Sequence, residues 1–447
     1  MNSNLFLSVN DIYGSIISFV FALLFLKWIS VKWIKNKQVF NLFLFGFLLR
    51  VIGVLASAYF NLYIVKSDST IYFSAAKAIS NAMSNLDFSE SVKIFYTDFS
   101  DLPFKTKCFF SNTEAFNWVY NDNKALIHIA SIISYFTFDS YIAISFFLSL
   151  WGYIGTWLIY HTLSKKFPDT SVLLYVFIIA YPSLFFWTTG LMKEPVCMGS
   201  IGLLFFLLFN PFKSRKRLLL FPFLGFIAIF LLFKIKSYLS YSFLLSFILA
   251  YVIYFAQKIY KTQNIIITIS FWSLIVLIFF SVYYFLGSIL LNSIIEDATV
   301  NIIGFTKAQL EQGGSSYDIG QPDLNAVSMI KYIFSSIYVT LFRPFLWESS
   351  KPQLWFSALE GLFSFLIIGY LLFKKSIRKT ITFIVSNPSL LFSFIFTIVL
   401  SAIIGGISFN FGTLIRYKIP MLPFFFAFLL IVFKNKSIDR KLKWLKH

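Results

Sequence analysis

Apolar runs follow one another along this chain with almost no charge inside them, and short polar breaks separate them. They fall at 13–34, 40–64, 140–162, 171–190, 193–210, 217–233, 237–256, 264–290, 355–373, 383–405 and 418–433. Each approaches the length of about 20 apolar residues that an α-helix needs to cross a bilayer. The alternating segments of a membrane β-barrel do not occur. The pattern predicts an all-α polytopic membrane protein with about eleven transmembrane helices. A further stretch, LIHIASIISYFTF at 126–138, is too short to span and reads as a re-entrant or interfacial helix.

Composition supports the pattern. The 447 residues are 58% hydrophobic and 13% charged, against about a quarter charged in soluble domains. The net charge of +19 would point to nucleic acid in a soluble protein. Here the cations gather in the breaks: Lys32, Lys35 and Lys37; Lys165 and Lys166; KSRKR at 213–217; Lys258 and Lys261; KKSIRK at 374–379; and KNKSIDRKLKWLKH from 434. With eleven spans these all fall on one side, which the positive-inside rule makes the cytoplasm. The N-terminus is then outside and the C-terminus cytoplasmic. KIK at 234–236 lands outside and is the weakest point of the scheme. The charge is read as topology and as contact with anionic membrane lipid, not as a nucleic-acid surface. The expected organisation is one integral membrane domain, 1–433, and a basic cytoplasmic tail, 434–447. Residues 13–34 read as a retained span, because no basic leader or small-residue cleavage site accompanies them.

Two breaks are long, 65–125 and 291–354, and both fall on the outer side. The second carries Glu296, Asp297, Glu311, Asp318 and Asp323. Long loops on a rigid scaffold are where binding and catalysis concentrate.

A few charges do not suit a passive scaffold. Asp68 begins the first long break, and the residues after it read as an amphipathic helix with Ile71, Ala75 and Ala78 on one side. Ser67, Asp68 or Ser69 would each cap that helix, so Asp68 is either a cap or a carboxylate presented at the membrane surface. Lys193 and Glu194 sit side by side between Pro182 and Pro195 in an otherwise apolar stretch. Buried charges must be neutralised, reach water or meet a ligand; the alternative is an interfacial cap with Lys193 snorkelling. Arg416 and Lys418 stand at the outer end of the last span, where cations are disfavoured. Arginine offers a planar fork to phosphate oxygens and lysine a point charge; plain headgroup contact is the alternative. Arg343 belongs at the outer interface beside Trp347, and Arg50 lies inside the second span and needs an internal partner. Cys108 and Cys197 are too few for a disulfide framework. His128, His161 and His447 have no metal-ligand spacing, and no P-loop occurs.

YPSLFFWTTGLMKEPVCMGSIGLLFFLL resembles a segment of the GT-C fold polyprenyl-phosphate-dependent membrane glycosyltransferases, the matching positions being Pro182, Phe185, Thr189, Glu194 and Pro195. RYKIPMLPF at 416–424 is similar to that family's Arg-Tyr-x-x-Pro-x-x-Pro pattern near the last span, and SDSTIYFSAA to its first outer loop. ALIHIASIISYFTFDSYIAISFFLSLWGYIGTWLIYHTLSKKF is similar to its short helix, turn and following span. Where the family often has two adjacent acidic residues, Asp68 is followed by Ser69, and one extra span precedes the first outer loop. These departures also fit the neighbouring class of bacterial surface-polysaccharide polymerases and ligases.

The resemblance implies a GT-C-like fold in the bacterial cytoplasmic (inner) membrane, with the active site on the extracytoplasmic face. It implies transfer of a sugar from a polyprenyl-phosphate-linked donor to a glycan, lipid or protein acceptor. The leaving phosphate needs cations, for which Arg416, Lys418, Lys193 and Arg343 are the candidates. The acceptor hydroxyl needs a base, for which Asp68 is the first candidate and Glu194 the second. Glu194 can instead orient Lys193. A polymerase of the Wzy type would join lipid-linked repeat units with the same groups. No cofactor is called for; a divalent cation is compatible with the chemistry but not indicated. A lipid-linked glycan flippase or transporter would share the spans and charges, yet would bring internal repeats and broken helices. A non-catalytic assembly subunit would tolerate loss of Asp68 and Arg416 alike.

Overall fold

The structure is a computed structural model that describes residues 9–64, 68–97, 101–102, 107–108, 113–210, 215–262, 317, 319, 326–349, 352–408 and 410–439. Among these residues the chain is helical, and its single bridge of β type joins Lys375 to Asp439. Seven of the described helices are long and apolar enough to cross a membrane, the make-up of a helical multi-pass membrane protein.

The helices are α1 (Val9–Lys32), α2 (Lys37–Tyr59), α3 (Asp68–Asn85), α4 (Phe88–Tyr96), α5 (Thr113–Phe136), α6 (Tyr141–Lys166), α7 (Ser171–Ile178), α8 (Pro182–Trp187) and α9 (Lys193–Phe209). There follow α10 (Arg215–Ile235), α11 (Ser237–Thr262), α12 (Ala326–Phe342), α13 (Pro352–Lys374), α14 (Ile377–Val385), α15 (Pro388–Ile407), α16 (Phe411–Tyr417) and α17 (Leu422–Lys434). A π turn, Phe60–Ile64, extends α2.

Several expected spans take a different form. The run at 171–190 is two short helices, because Pro182 cannot donate to a continuing helix and Tyr181 before it is extended. The run at 193–210 is a helix of 17 residues, rising about 26 Å, a little short of a hydrocarbon core of about 30 Å. The run at 383–405 begins at Pro388, behind the separate amphipathic α14. The stretch at 126–138 is the end of the longer α5, which packs on α3. The buried stripe of α3 runs through Tyr72, Ala75, Ala76 and Ile79, leaving Ile71 exposed. The expected span at 264–290 and the acidic residues Glu296, Asp297, Glu311, Asp318 and Asp323 lie outside the described residues.

The chain forms two compact units, one of residues 1–162 and 175–237, the other of 163–174 and 238–447. In the first, α6 is the central post. Phe43 and Phe47 of α2 meet Trp157 and Phe146 at 4.9 and 6.2 Å, so α2 runs antiparallel to α6. Phe21 of α1 meets Phe147 at 5.0 Å, while Gly14 packs on Ser140, so α1 runs parallel to it. The α9 helix is also parallel: Gly152 faces Pro195, and Asn210 Nδ2 donates to Thr162 Oγ1 at 2.8 Å. Glycines make this last contact close. A Cβ on Gly155 would strike the backbone of Met198 and Gly199, and one on Gly202 the backbone of Gly155.

In the second unit, α12 and α15 are antiparallel, with Tyr332 OH donating to Gly406 O at 2.8 Å and Thr340 Oγ1 to Ser401 O at 2.9 Å. Phe243, Phe392, Phe396 and Phe424 form a buried cluster between α11, α15 and α17. The α13 helix runs parallel to α17, with Tyr370 against Phe433 at 5.2 Å. Beyond α17 the chain folds back: buried Lys375 donates to Asn435 O at 2.7 Å and pairs with Asp439, and Ser376 N–H donates to Ile438 O.

Candidate functional site

The directions of α1, α2, α6 and α9 bring the N-termini of α1, α6 and α9 and the C-terminus of α2 to one end of the first unit. Asp68 and Lys193–Glu194 both belong to this end. Asp68 is the exposed first residue of α3. Its neighbour Ser69 is fully buried and shares a hydrogen bond of 2.6 Å with Tyr141 OH. Asn61 in the π turn is buried nearby, and its Nδ2 donates to Ser57 O at 2.9 Å and to Ser57 Oγ at 3.1 Å. Ser57 packs against Gly190, whose amide donates to Ser149 Oγ at 2.8 Å. Gly190 has φ +89°, a conformation open to glycine, and a side chain there would collide with Ser57. A seam of polar side chains thus lies between Ser69, next to Asp68, and the turn that precedes Lys193.

Glu194 sits in the first turn of α9, where the helix dipole favours a carboxylate, and Pro195 is tolerated because that turn needs no amide donors. Glu194 is fully buried. Its partner is Lys236, whose Nζ stands 3.0 Å from Glu194 Oε1 and which is itself 7% exposed. Lys193, half-buried, is the first residue of α9. The second lysine of KIK thus meets the carboxylate of the adjacent Lys193–Glu194 charges.

Arg50 is buried among backbone acceptors. Its guanidinium donates to the carbonyls of Leu184 and Phe185 at 3.2 and 3.1 Å and to the hydroxyls of Thr188 and Thr156. The break between α7 and α8 and the short length of α8 leave carbonyls that a cation can satisfy. The role is structural: Arg50 ties α2 to the returning segment.

The other candidates lie in the second unit. Lys418, between α16 and α17, is buried, with Nζ 3.9 Å from Glu360 Oε2 of α13. Arg416 is half-buried near the end of α16, which Asn410 caps by accepting from Gly412 N–H and Thr413 N–H. Arg343 Nε donates to both oxygens of Glu348, at 3.0 and 3.1 Å, and the guanidinium lies over the rings of Tyr317 and Phe411 at 5.3 and 5.2 Å. Arg343 is therefore already held by a carboxylate and two aromatic faces.

The chain matches no known protein-family model, no curated protein and no solved structure.

Among the described residues no group of three or more His, Cys, Asp or Glu side chains gathers as a metal site would. His128, on α5 with its ring 4.9 Å from that of Phe95, is held down at about 4, by burial first and by Lys124 second, and so is neutral near pH 7. A cavity of about 290 Å³ in the first unit, lined by Phe25, Trp28, Phe43, Trp157 and Phe206, is apolar and lies toward the other end.

Sequence reasoning missed two residues, Lys236 and Glu360. Each had a signal. Lys236 falls, by the eleven-span expectation, on the side where positive charge is disfavoured, and Glu360 is the one charge in the apolar run 354–373.

Glu348 gives a pH prediction. Burial alone would raise its carboxyl; bonds from Arg343 and the Phe345 amide outweigh this and hold it below the ordinary value. A depressed folded value adds stability above the unfolded carboxyl value of about 4.3, and that stability disappears as pH falls through the folded value. Thermal unfolding of wild type and Glu348→Gln should differ at pH 7 and converge toward pH 3. A gap that persists at pH 3 would rule out the ionised pair as its source.

Proposed function

We propose that this chain is an integral membrane glycosyltransferase that moves a sugar from a polyprenyl-phosphate-linked donor to an acceptor on the extracytoplasmic face, in surface polysaccharide or glycan assembly. The observation that carries the reading is the gathering of Asp68, Lys193 and the Glu194–Lys236 pair at one end of the first unit, joined by a polar seam. That end lies away from Lys32, Lys35 and Lys37, which the positive-inside rule puts in the cytoplasm.

The roles follow from the surroundings. Glu194 is neutralised by Lys236 and is a poor proton acceptor. Exposed Asp68 is the better general base for the acceptor hydroxyl. Lys193 is the cation that this end of the first unit offers to the departing phosphate. In the second unit, Arg343 has little left to offer a phosphate, because Glu348 already occupies its fork.

The test is transfer in detergent from a defined polyprenyl-phosphate-linked sugar. Wild type should turn over without a membrane barrier. Asp68→Asn should lower the rate by roughly a hundredfold or more, and Lys193→Ala should lower it with the protein still folded. Wild-type product from both variants would exclude these roles.

A transporter of lipid-linked glycan is the second reading. Two observations favour it: the helix broken between Ile178 and Pro182, and a buried Lys–carboxylate pair in each unit. It predicts movement across vesicles and no turnover in detergent.

A further inference from the structure

The second unit has a cavity of about 250 Å³ at the end that carries the KKSIRK stretch. Its walls are apolar side chains of α13, α15 and α17, among them Leu371, Ile398, Phe425 and Leu429. Its rim is α14. Along this short helix Ile377, Thr380, Ile381 and Ile384 share one face, at the three- and four-residue spacing of helical neighbours. Ile377, Thr380 and Ile381 line the cavity, while Arg378 and Lys379 beside them are exposed.

Three features say what fits there. Leu372, Ile377 and Ile381 at the rim are 60%, 57% and 55% exposed; on the flank of membrane-spanning helices the medium is lipid. Arg378 and Lys379 put positive charge on the exposed side of this same rim helix, and Lys374 stands half-buried nearby. Lys375 does not add to this charge, because Asp439 neutralises it. Finally, Thr380 Oγ1 is buried without a hydrogen-bond partner among the described residues. A buried hydroxyl without a partner is costly, and this one belongs to a residue of the cavity wall.

We propose that this is a binding site for an anionic glycerophospholipid. An acyl chain fills the cavity, the Thr380 hydroxyl donates to an ester or phosphate oxygen, and Arg378 and Lys379 hold the phosphate. The site shares no residue with the proposed transfer chemistry and does not depend on it. An amphipathic basic helix lying in the interface is the ordinary device for reading negative lipid charge.

The experiment uses the full chain, purified in mild detergent and stripped of lipid. It is titrated with phosphatidylglycerol, phosphatidylcholine or polyprenyl phosphate, and bound lipid is read by native mass spectrometry alongside the thermal unfolding midpoint. Phosphatidylglycerol should bind saturably and raise the midpoint. The surface variant Arg378→Ala/Lys379→Ala should bind it about thirtyfold more weakly, at about fivefold per cation. Thr380→Val should bind it several-fold more weakly at unchanged fold, and Ile398→Trp, which fills the cavity, should exclude it. Equal binding of phosphatidylcholine, unchanged affinity in the double variant, or displacement of phosphatidylglycerol by polyprenyl phosphate would each overturn the proposal.

Discussion

Lys236→Met should destabilise the protein by about 3–5 kcal/mol, and a second change, Glu194→Gln, should restore most of the loss. Removing one partner of a buried ion pair leaves an uncompensated charge, and the penalty is of that size. The pair here is well placed for it: 3.0 Å apart, one member fully buried and the other nearly so. Removing both charges leaves no orphan, and neutral replacements of similar volume are often tolerated. The double variant is thus a folded protein without the pair. Unfolding of the two single variants and the double closes a mutant cycle with a coupling of several kcal/mol. Additive losses would mean that the two groups do not act as a pair. The same double variant separates stability from chemistry: if the pair serves transfer, it should be folded and inactive, whereas a purely structural pair would leave turnover intact.

Gly155→Ala and Gly202→Ala should each lower stability by roughly 1–3 kcal/mol, although Ala is the better helix former. The reason is where the methyl group would go. At Gly202 it meets the Gly155 backbone, and at Gly155 it meets the backbone of Met198 and Gly199. Backbone cannot rotate aside as a side chain can, so α6 and α9 must separate. That separation would also strain Trp151 Nε1–H, which donates to Val196 O at 3.3 Å, and displace Glu194 at the end of the same helix. Gly369 on α13 is the control, because a Cβ there meets nothing within 4 Å. Gly369→Ala should leave the unfolding midpoint unchanged or slightly higher. Three variants with equal midpoints would refute the close approach of α6 and α9.

The helical membrane architecture was legible from hydrophobic run length alone, since few things other than a bilayer demand such runs. Helix continuity was less so. Pro182 marks the break in 171–190 plainly, but an apolar window of that length reads as one span unless the proline is given priority. The charges show the opposite imbalance. Residue type and depth singled out Lys193, Glu194, Arg416 and Lys418, yet pairing was beyond reach, because Glu194 finds Lys236 across 42 positions and Lys418 finds Glu360 across an interval no periodicity spans. Arg50 is the clearest case. Two of its four acceptors are carbonyls of the short α8, and backbone acceptors leave no trace in a sequence.

The fold-back after α17 makes Asn435–Asp439 part of the folded body. Asn435, Ile438 and Asp439 supply acceptors to Lys375 and Ser376, so the residues just past the last helix are masonry and not fringe. Cutting the polypeptide at Lys434, or splicing a reporter there, strips a buried ammonium of an anion and a carbonyl together; trimming that starts after Asp439 leaves both in place.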